Sequence, residues 1–182
     1  TGLLCIGAIE TGARSVALFL LSGLFLGLGI VTKPIFLIIL PALAIPLYFY
    51  RGVFLGNVKH AVYFVLAFSL PVLVWFFVQF SGDSLSNMFA IYANPHNVSI
   101  FDSVFANLKR FITEIQPMYF AVLLITWGLS FFIRLAKKIP ISYVESIALS
   151  FSVLIFLAYL RTAGYYRYFF LGQVFALIYF PT

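Results

Sequence analysis

Six stretches of this chain, residues 15–31, 34–50, 61–80, 117–133, 140–160 and 168–182, hold a single charged residue between them, Glu145. Runs of this length match a hydrocarbon core about 30 Å thick, the shorter ones with polar ends at the interface. The composition agrees: 64% of the 182 residues are hydrophobic and 9% charged, against about 25% charged in soluble domains. Mean hydropathy is +1.11. Water could not solvate so much apolar surface, and in lipid the backbone must satisfy its own hydrogen bonds. The expected fold class is therefore all-α. It is a polytopic transmembrane helix bundle of about five to six spans, with an added amphipathic helix outside the cytoplasm.

The same residues exclude several function classes. The eleven Lys and Arg residues fall in small groups between apolar runs, not in one basic stripe, so nucleic acid is not an expected partner. Cys5 has no partner for an internal disulfide and reads as a small packing residue. No charged leader with a cleavage site is visible. The chain starts inside one apolar run and stops inside another, and reads as an internal fragment.

Charge sets the expected orientation. Alternating crossings put Arg14, the loop 51–60 and the loop 134–138 on one side. That side carries Arg14, Arg51, Lys59, Arg134, Lys137 and Lys138 in short loops and should be cytoplasmic. Lys33, the segment 81–116 and the segment 161–167 then lie outside. The expected location is a multi-pass position in the inner or plasma membrane, with the site facing outward. Glu145, early in its run, reads either as an interfacial carboxylate paired with Lys137 or Lys138, or as a buried functional acid.

The segment 81–116 is too polar to span and too long for a simple turn. Its second half, about 99–115, has helical periodicity: Ile100, Phe101, Val104, Phe105, Leu108, Phe111, Ile112 and Ile115 recur at spacings of one, three and four. Ser99 can cap it, with Asp102 three residues on as a weaker capping box. Lys109, Arg110 and Glu114 take the polar face. Such a helix suits the membrane interface. It could equally cover the bundle as a plain loop helix, or wall a site that opens outward.

Lys33, followed by Pro34, ends an apolar run with no acid nearby. A charge in such a place costs roughly 2.5–3.5 kcal/mol at mid-bilayer and less near the interface, which marks a functional candidate. On the same expected side, Arg161 ends one run and Arg167 opens the next, among Tyr165, Tyr166 and Tyr168. Cations with phenolic donors at an interface suit a lipid phosphate or pyrophosphate. The simpler alternative is snorkelling within an aromatic belt. Gly23-x-x-x-Gly27 has the spacing that lets helices pack closely. Asp83, Asp102 and Glu114 read as turn residue, helix cap and polar-face charge before they read as bases. His60 and His96 fall on opposite sides, so no metal site is expected from them. Asn97-Val98-Ser99 has the pattern of a glycosylation sequon.

Two segments resemble the polytopic GT-C glycosyltransferases that use polyprenyl-phosphate sugars, a group that includes protein O-mannosyltransferase-like and aminoarabinose transferase-like enzymes. Ser22-Gly23-Leu24-Phe25-Leu26-Gly27-Leu28-Gly29-Ile30-Val31-Thr32-Lys33-Pro34 is similar to a family helix end that closes on Thr-Lys, with Glu10-Thr11-Gly12 as the short turn before it. Arg161-Thr162-Ala163-Gly164-Tyr165-Tyr166-Arg167-Tyr168-Phe169-Phe170 is similar to a late loop and helix start. The resemblance implies that residues 1–182 are part of one transmembrane glycosyltransferase domain. It implies sugar transfer from an undecaprenyl- or dolichyl-phosphate donor to a protein, lipid or glycan acceptor outside the cytoplasm. Lys33, Arg161, Tyr165, Tyr166 and Arg167 would contact the lipid phosphate. The family acid that serves as base or metal ligand would precede Thr1, so no catalytic residue is assigned here, and a divalent metal is an optional cofactor. The sequence departs from the pattern at Pro34, where Gly is common, and at Leu171-Gly172, where a proline is expected. A transporter or lipid flippase binding an anionic lipid or solute is the alternative. A non-catalytic membrane subunit or a polysaccharide polymerase comes after it.

Overall fold

The structure, a computed structural model, describes residues 2–10, 15–32, 34–49, 58–79, 86–87, 99–161, 166 and 169–179. Every regular element among them is helical. The chain divides into two compact units, residues 1–84 with 142–147, and residues 85–141 with 148–182.

The first unit contains α1 (Gly2–Glu10), α2 (Val16–Thr32), a 3₁₀ turn (Pro34–Ile38), α3 (Ile39–Phe49) and α4 (Val58–Gln79). Ser15 starts α2, its Oγ accepting the Leu18 N–H at 3.3 Å. At the other end the Thr32 hydroxyl donates to the Gly29 carbonyl at 2.7 Å. Gly23 and Gly27 bring α2 against the backbone of α4. A Cβ on Gly23 would overlap the Phe64 carbonyl oxygen, and one on Gly27 would overlap that of Phe68 and lie 2.7 Å from Pro71 Cγ. The glycine spacing thus has the packing role its sequence suggests. Beside this contact, Phe19 stacks on His60 with ring centroids 4.6 Å apart. In α1, Cys5, Ile6 and Ile9 are buried.

The start of α7 (Tyr143–Arg161) belongs to this unit. Both Glu10 carboxylate oxygens accept N–H groups of its first turn, from Tyr143 and Val144. The Ser142 Oγ accepts the Glu145 N–H at 3.0 Å, the cap bond expected of Ser-x-x-Glu. Glu145 is only 4% exposed. A carboxylate there sits in the favourable field of a helix N-terminus.

The second unit contains α5 (Ile100–Thr113), α6 (Ile115–Ala136), the rest of α7 and α8 (Phe170–Ile178). Leu123 and Trp127 of α6, Ala148 and Leu149 of α7, and Ala176 of α8 form a buried cluster. Trp127 stacks on Tyr179 at 5.6 Å. Gly172 faces the Phe120 ring, which a Cβ would approach to 2.9 Å.

Helix α6 ends in a Schellman arrangement. The Ile139 N–H reaches the Arg134 carbonyl at 3.0 Å and the Lys138 N–H reaches that of Leu135 at 3.1 Å. Lys138 has φ 59°, the left-handed conformation in which glycine is preferred. Lys138→Gly should raise stability by about 0.5–1 kcal/mol, since relief of the Cβ clash exceeds the entropy glycine adds to the unfolded chain. Thermal denaturation in detergent reads this directly.

Among the described residues, three helices are long and apolar enough to cross a membrane: Lys59–Gln79, Ile115–Ala136 and Tyr143–Arg161, of 21, 22 and 19 residues. Of the other expected spans, 15–31 forms one helix and 34–50 does not. Helix α2 has 17 residues, roughly 25 Å of rise. The run 34–50 is not one helix but a 3₁₀ turn followed by α3. Pro34 lacks an N–H and opens that turn, and Pro46 lies inside α3, where it removes a further backbone bond. The surface of α4 is apolar and open: Leu66, Leu70, Phe77 and Val78 are 61–80% exposed. Water would not tolerate such a face, whereas lipid would.

Candidate functional site

The second unit gathers polar side chains at one place, where α5 meets the last turn of α7. The final carbonyls of a helix have no partner within it. Here α5 supplies partners from its own side chains. Asn107 Nδ2 donates to the Tyr159 and Leu160 carbonyls, both at 3.1 Å. Ser103 Oγ lies 3.3 Å from the Arg161 carbonyl and donates to it. Asn107 is 5% exposed, so its amide works in a dry setting. Asn107→Leu should keep the volume and remove these bonds, costing about 1–3 kcal/mol as two helix-end carbonyls lose their donor. A lower denaturant midpoint with an unchanged slope would be the sign.

One turn further along α5, Arg110 Nε donates to Glu114 Oε1 at 2.9 Å. Arg110 Nη2 donates to the Tyr166 hydroxyl at 2.6 Å, and its guanidinium carbon lies 4.8 Å from the centre of the Tyr166 ring. The hydrogen bond to Glu114 holds the Arg110 pKa above its ordinary value, against a smaller opposing effect of burial. Arg110 is therefore cationic at any working pH. The Tyr166 oxygen accepts from Arg110, which leaves its own O–H as a donor.

Aromatic rings support this cluster. Phe111 packs on Phe156, Tyr159 and Phe169, with centroids 5.0, 5.4 and 5.9 Å away. Phe169 also lies 4.6 Å from Phe120, stacked, and 4.3 Å from Tyr159. Phe111 therefore turns towards its own unit. Sequence periodicity places it in the same apolar series as Phe101, Phe105 and Ile112, which are exposed.

Of the five residues expected to hold a lipid phosphate, Arg161 and Tyr166 are described. Arg161 is the last residue of α7, and Tyr166 sits in the Arg110 cluster. Lys33, Tyr165 and Arg167 lie outside the described residues, as do Asp83 and His96. Asp102 is exposed in the first turn of α5, which Ser99 caps: the Asp102 N–H donates to Ser99 Oγ at 3.1 Å, and its carboxylate accepts the Ser99 hydroxyl at 2.7 Å. Glu114 is ion-paired with Arg110. Among the described residues, no three His, Cys, Asp or Glu side chains cluster as metal ligands.

Ser103 and Asn107 were not singled out by their sequence. The available signal was their place in the series 103, 107, 110 and 114, whose spacing of four, three and four sets four hydrogen-bonding side chains on one helix face. Comparison with protein-family models, curated proteins and solved structures finds no match to this chain.

Proposed function

We propose that this chain is part of a multi-pass membrane glycosyltransferase that takes its sugar from a polyprenyl-phosphate donor and passes it to an acceptor outside the cytoplasm. The observation that supports this reading best is the Arg110–Tyr166 pair beside the C-terminal end of α7, a helix long enough to span a membrane. A permanently charged guanidinium and an oriented phenol are a donor set suited to a phosphate oxygen. The resemblance of the segment ending in Thr32-Lys33-Pro34 to the family's helix end adds a second cation.

In the proposed reaction the bond between the anomeric carbon and the phosphate oxygen breaks, and an acceptor oxygen bonds to that carbon. The acceptor's proton leaves to a general base, a role given to no residue of this chain. The leaving group is the lipid phosphate. Lys33, Arg161, Tyr165, Tyr166 and Arg167 would stabilise the charge it gains, and donors aimed at developing charge lower such a barrier.

The test is a transfer assay with the complete protein in proteoliposomes, using a polyprenyl-phosphate donor labelled in its sugar. Appearance of label on an acceptor with release of polyprenyl phosphate is the expected result. Movement of intact donor across the bilayer, with no release, would replace this reading with that of a lipid translocator.

A further inference from the structure

Helix α5 is amphipathic in an inverted sense. Its hydrogen-bonding face, Ser103, Asn107, Arg110 and Glu114, is turned towards its own unit. Its apolar row is turned away: Phe101, Phe105, Leu108 and Ile112 are 86, 75, 42 and 83% exposed. These four recur at spacings of four, three and four and so form one stripe. A second exposed row, Asp102, Ala106, Lys109 and Thr113, has the same spacing and runs alongside. The helix therefore offers one apolar flank and one polar flank, side by side.

The apolar flank does not stop with the helix. Only Glu114 separates α5 from α6, and Ile115, Val122, Ile125, Leu129 and Phe132 of α6 are 56–78% exposed. Helix α6 is one of the three of span length. The stripe thus continues an apolar surface that bilayer lipid would cover if α6 crosses a membrane. Lys109, at the border between the flanks, is placed to meet lipid phosphates, with its stem over the apolar side.

We infer that α5 lies in the membrane–water interface, with Phe101, Phe105, Leu108 and Ile112 seated among lipid headgroups and upper acyl chains and the row containing Ala106 and Thr113 facing water. This inference rests on the membrane reading of α6. The occupant is lipid and not a protein partner, because the stripe shares its surface with a span and is bordered by a cation.

The test uses the complete protein with Cys5→Ser, reconstituted in vesicles of phosphatidylcholine and phosphatidylglycerol. Single cysteines are introduced by Phe105→Cys, Ala106→Cys or Val122→Cys and labelled with an environment-sensitive fluorophore. At Phe105→Cys we expect strong quenching by lipids with a nitroxide near the glycerol, weaker quenching by lipids with a nitroxide near the chain end, and protection from aqueous iodide. At Ala106→Cys iodide should quench several-fold more strongly. At Val122→Cys the chain-end nitroxide should dominate. Should Phe105→Cys prevent folding, Phe101→Cys reads the same flank.

Iodide access at Phe105→Cys would overturn the proposal, and so would protection from every quencher, which would mean that protein covers the stripe. If Val122→Cys is quenched by lipid and Phe105→Cys is not, only the inference on α5 fails. If neither is quenched by lipid, the membrane reading itself fails.

Discussion

Lys33→Ala is expected to lower turnover with a polyprenyl-phosphate sugar about a hundredfold, the usual scale for removing one group that stabilises a leaving oxyanion. Folding and insertion should survive, because alanine removes an ionisable group from the end of an apolar run, where a charge is a cost. Lys33→Arg should recover part of the rate. It keeps the charge but replaces a compact ammonium with a wider planar fork. The contrast between the two variants matters more than either alone, since general damage would affect both. Steady-state kinetics in proteoliposomes check it, and equal turnover in Lys33→Ala and the unaltered protein would remove Lys33 from the reaction.

Gly27→Leu should be the most damaging substitution for the first unit. The first added carbon already overlaps the Phe68 carbonyl oxygen and crowds Pro71. The obstacle is backbone, which cannot turn aside as a side chain can. Overpacking costs about 1–3 kcal/mol where neighbours can adjust, and here the upper end or more is expected as α2 separates from α4. The sign is a fall in Tm in detergent, with loss of a single sharp peak on gel filtration. Gly29→Ala is the control. Among the described residues, no atom beyond its own turn of helix lies within 4 Å of a Cβ there, and alanine should gain up to about 1 kcal/mol in helix propensity.

Features set by neighbours in sequence were the legible ones. Ser99 and Asp102 are three residues apart, and they cap α5 as their spacing suggests. Gly23 and Gly27 differ by one helical turn, so their shared face could be read directly. Helix lengths were less legible where prolines intervene. The run 34–50 is apolar enough to look like one span, yet Pro34 and Pro46 lie within it and its first turn is 3₁₀. Lys138 gave no local signal, because a lysine in a left-handed cap is held there by the bonds of Ile139 and Lys138 to the preceding turn.

The polar cluster at the end of α7 was legible only in its local parts. Arg161 and Tyr166 stood out as polar residues at the edges of apolar runs. Their actual company did not, because Arg110 lies 56 residues from Tyr166 and Asn107 lies 52 from Tyr159. No periodicity spans such a distance. Which faces of α5 point outward was also open in the sequence. Hydrophobic pattern gives a stripe but not its partner, and only the bonds from Ser103 and Asn107 to the end of α7 settle which side is turned inward.

The bond from Asn107 to α7 also fixes an order of events during synthesis. Tyr159 follows Asn107 by 52 residues, so at about 5–20 residues per second the ribosome needs roughly 3–10 s to make the acceptor after the donor. For that interval Ser103 and Asn107 lack the α7 carbonyls they bind, while Arg110 and Glu114 can already pair within α5. Only when α7 is complete can Ser103 and Asn107 latch, so the helix must wait for a partner born later than α6. A ribosome that stalls between these two points would leave α5 and α6 made and the Asn107 amide without the α7 carbonyls it binds, a species open to quality-control proteases.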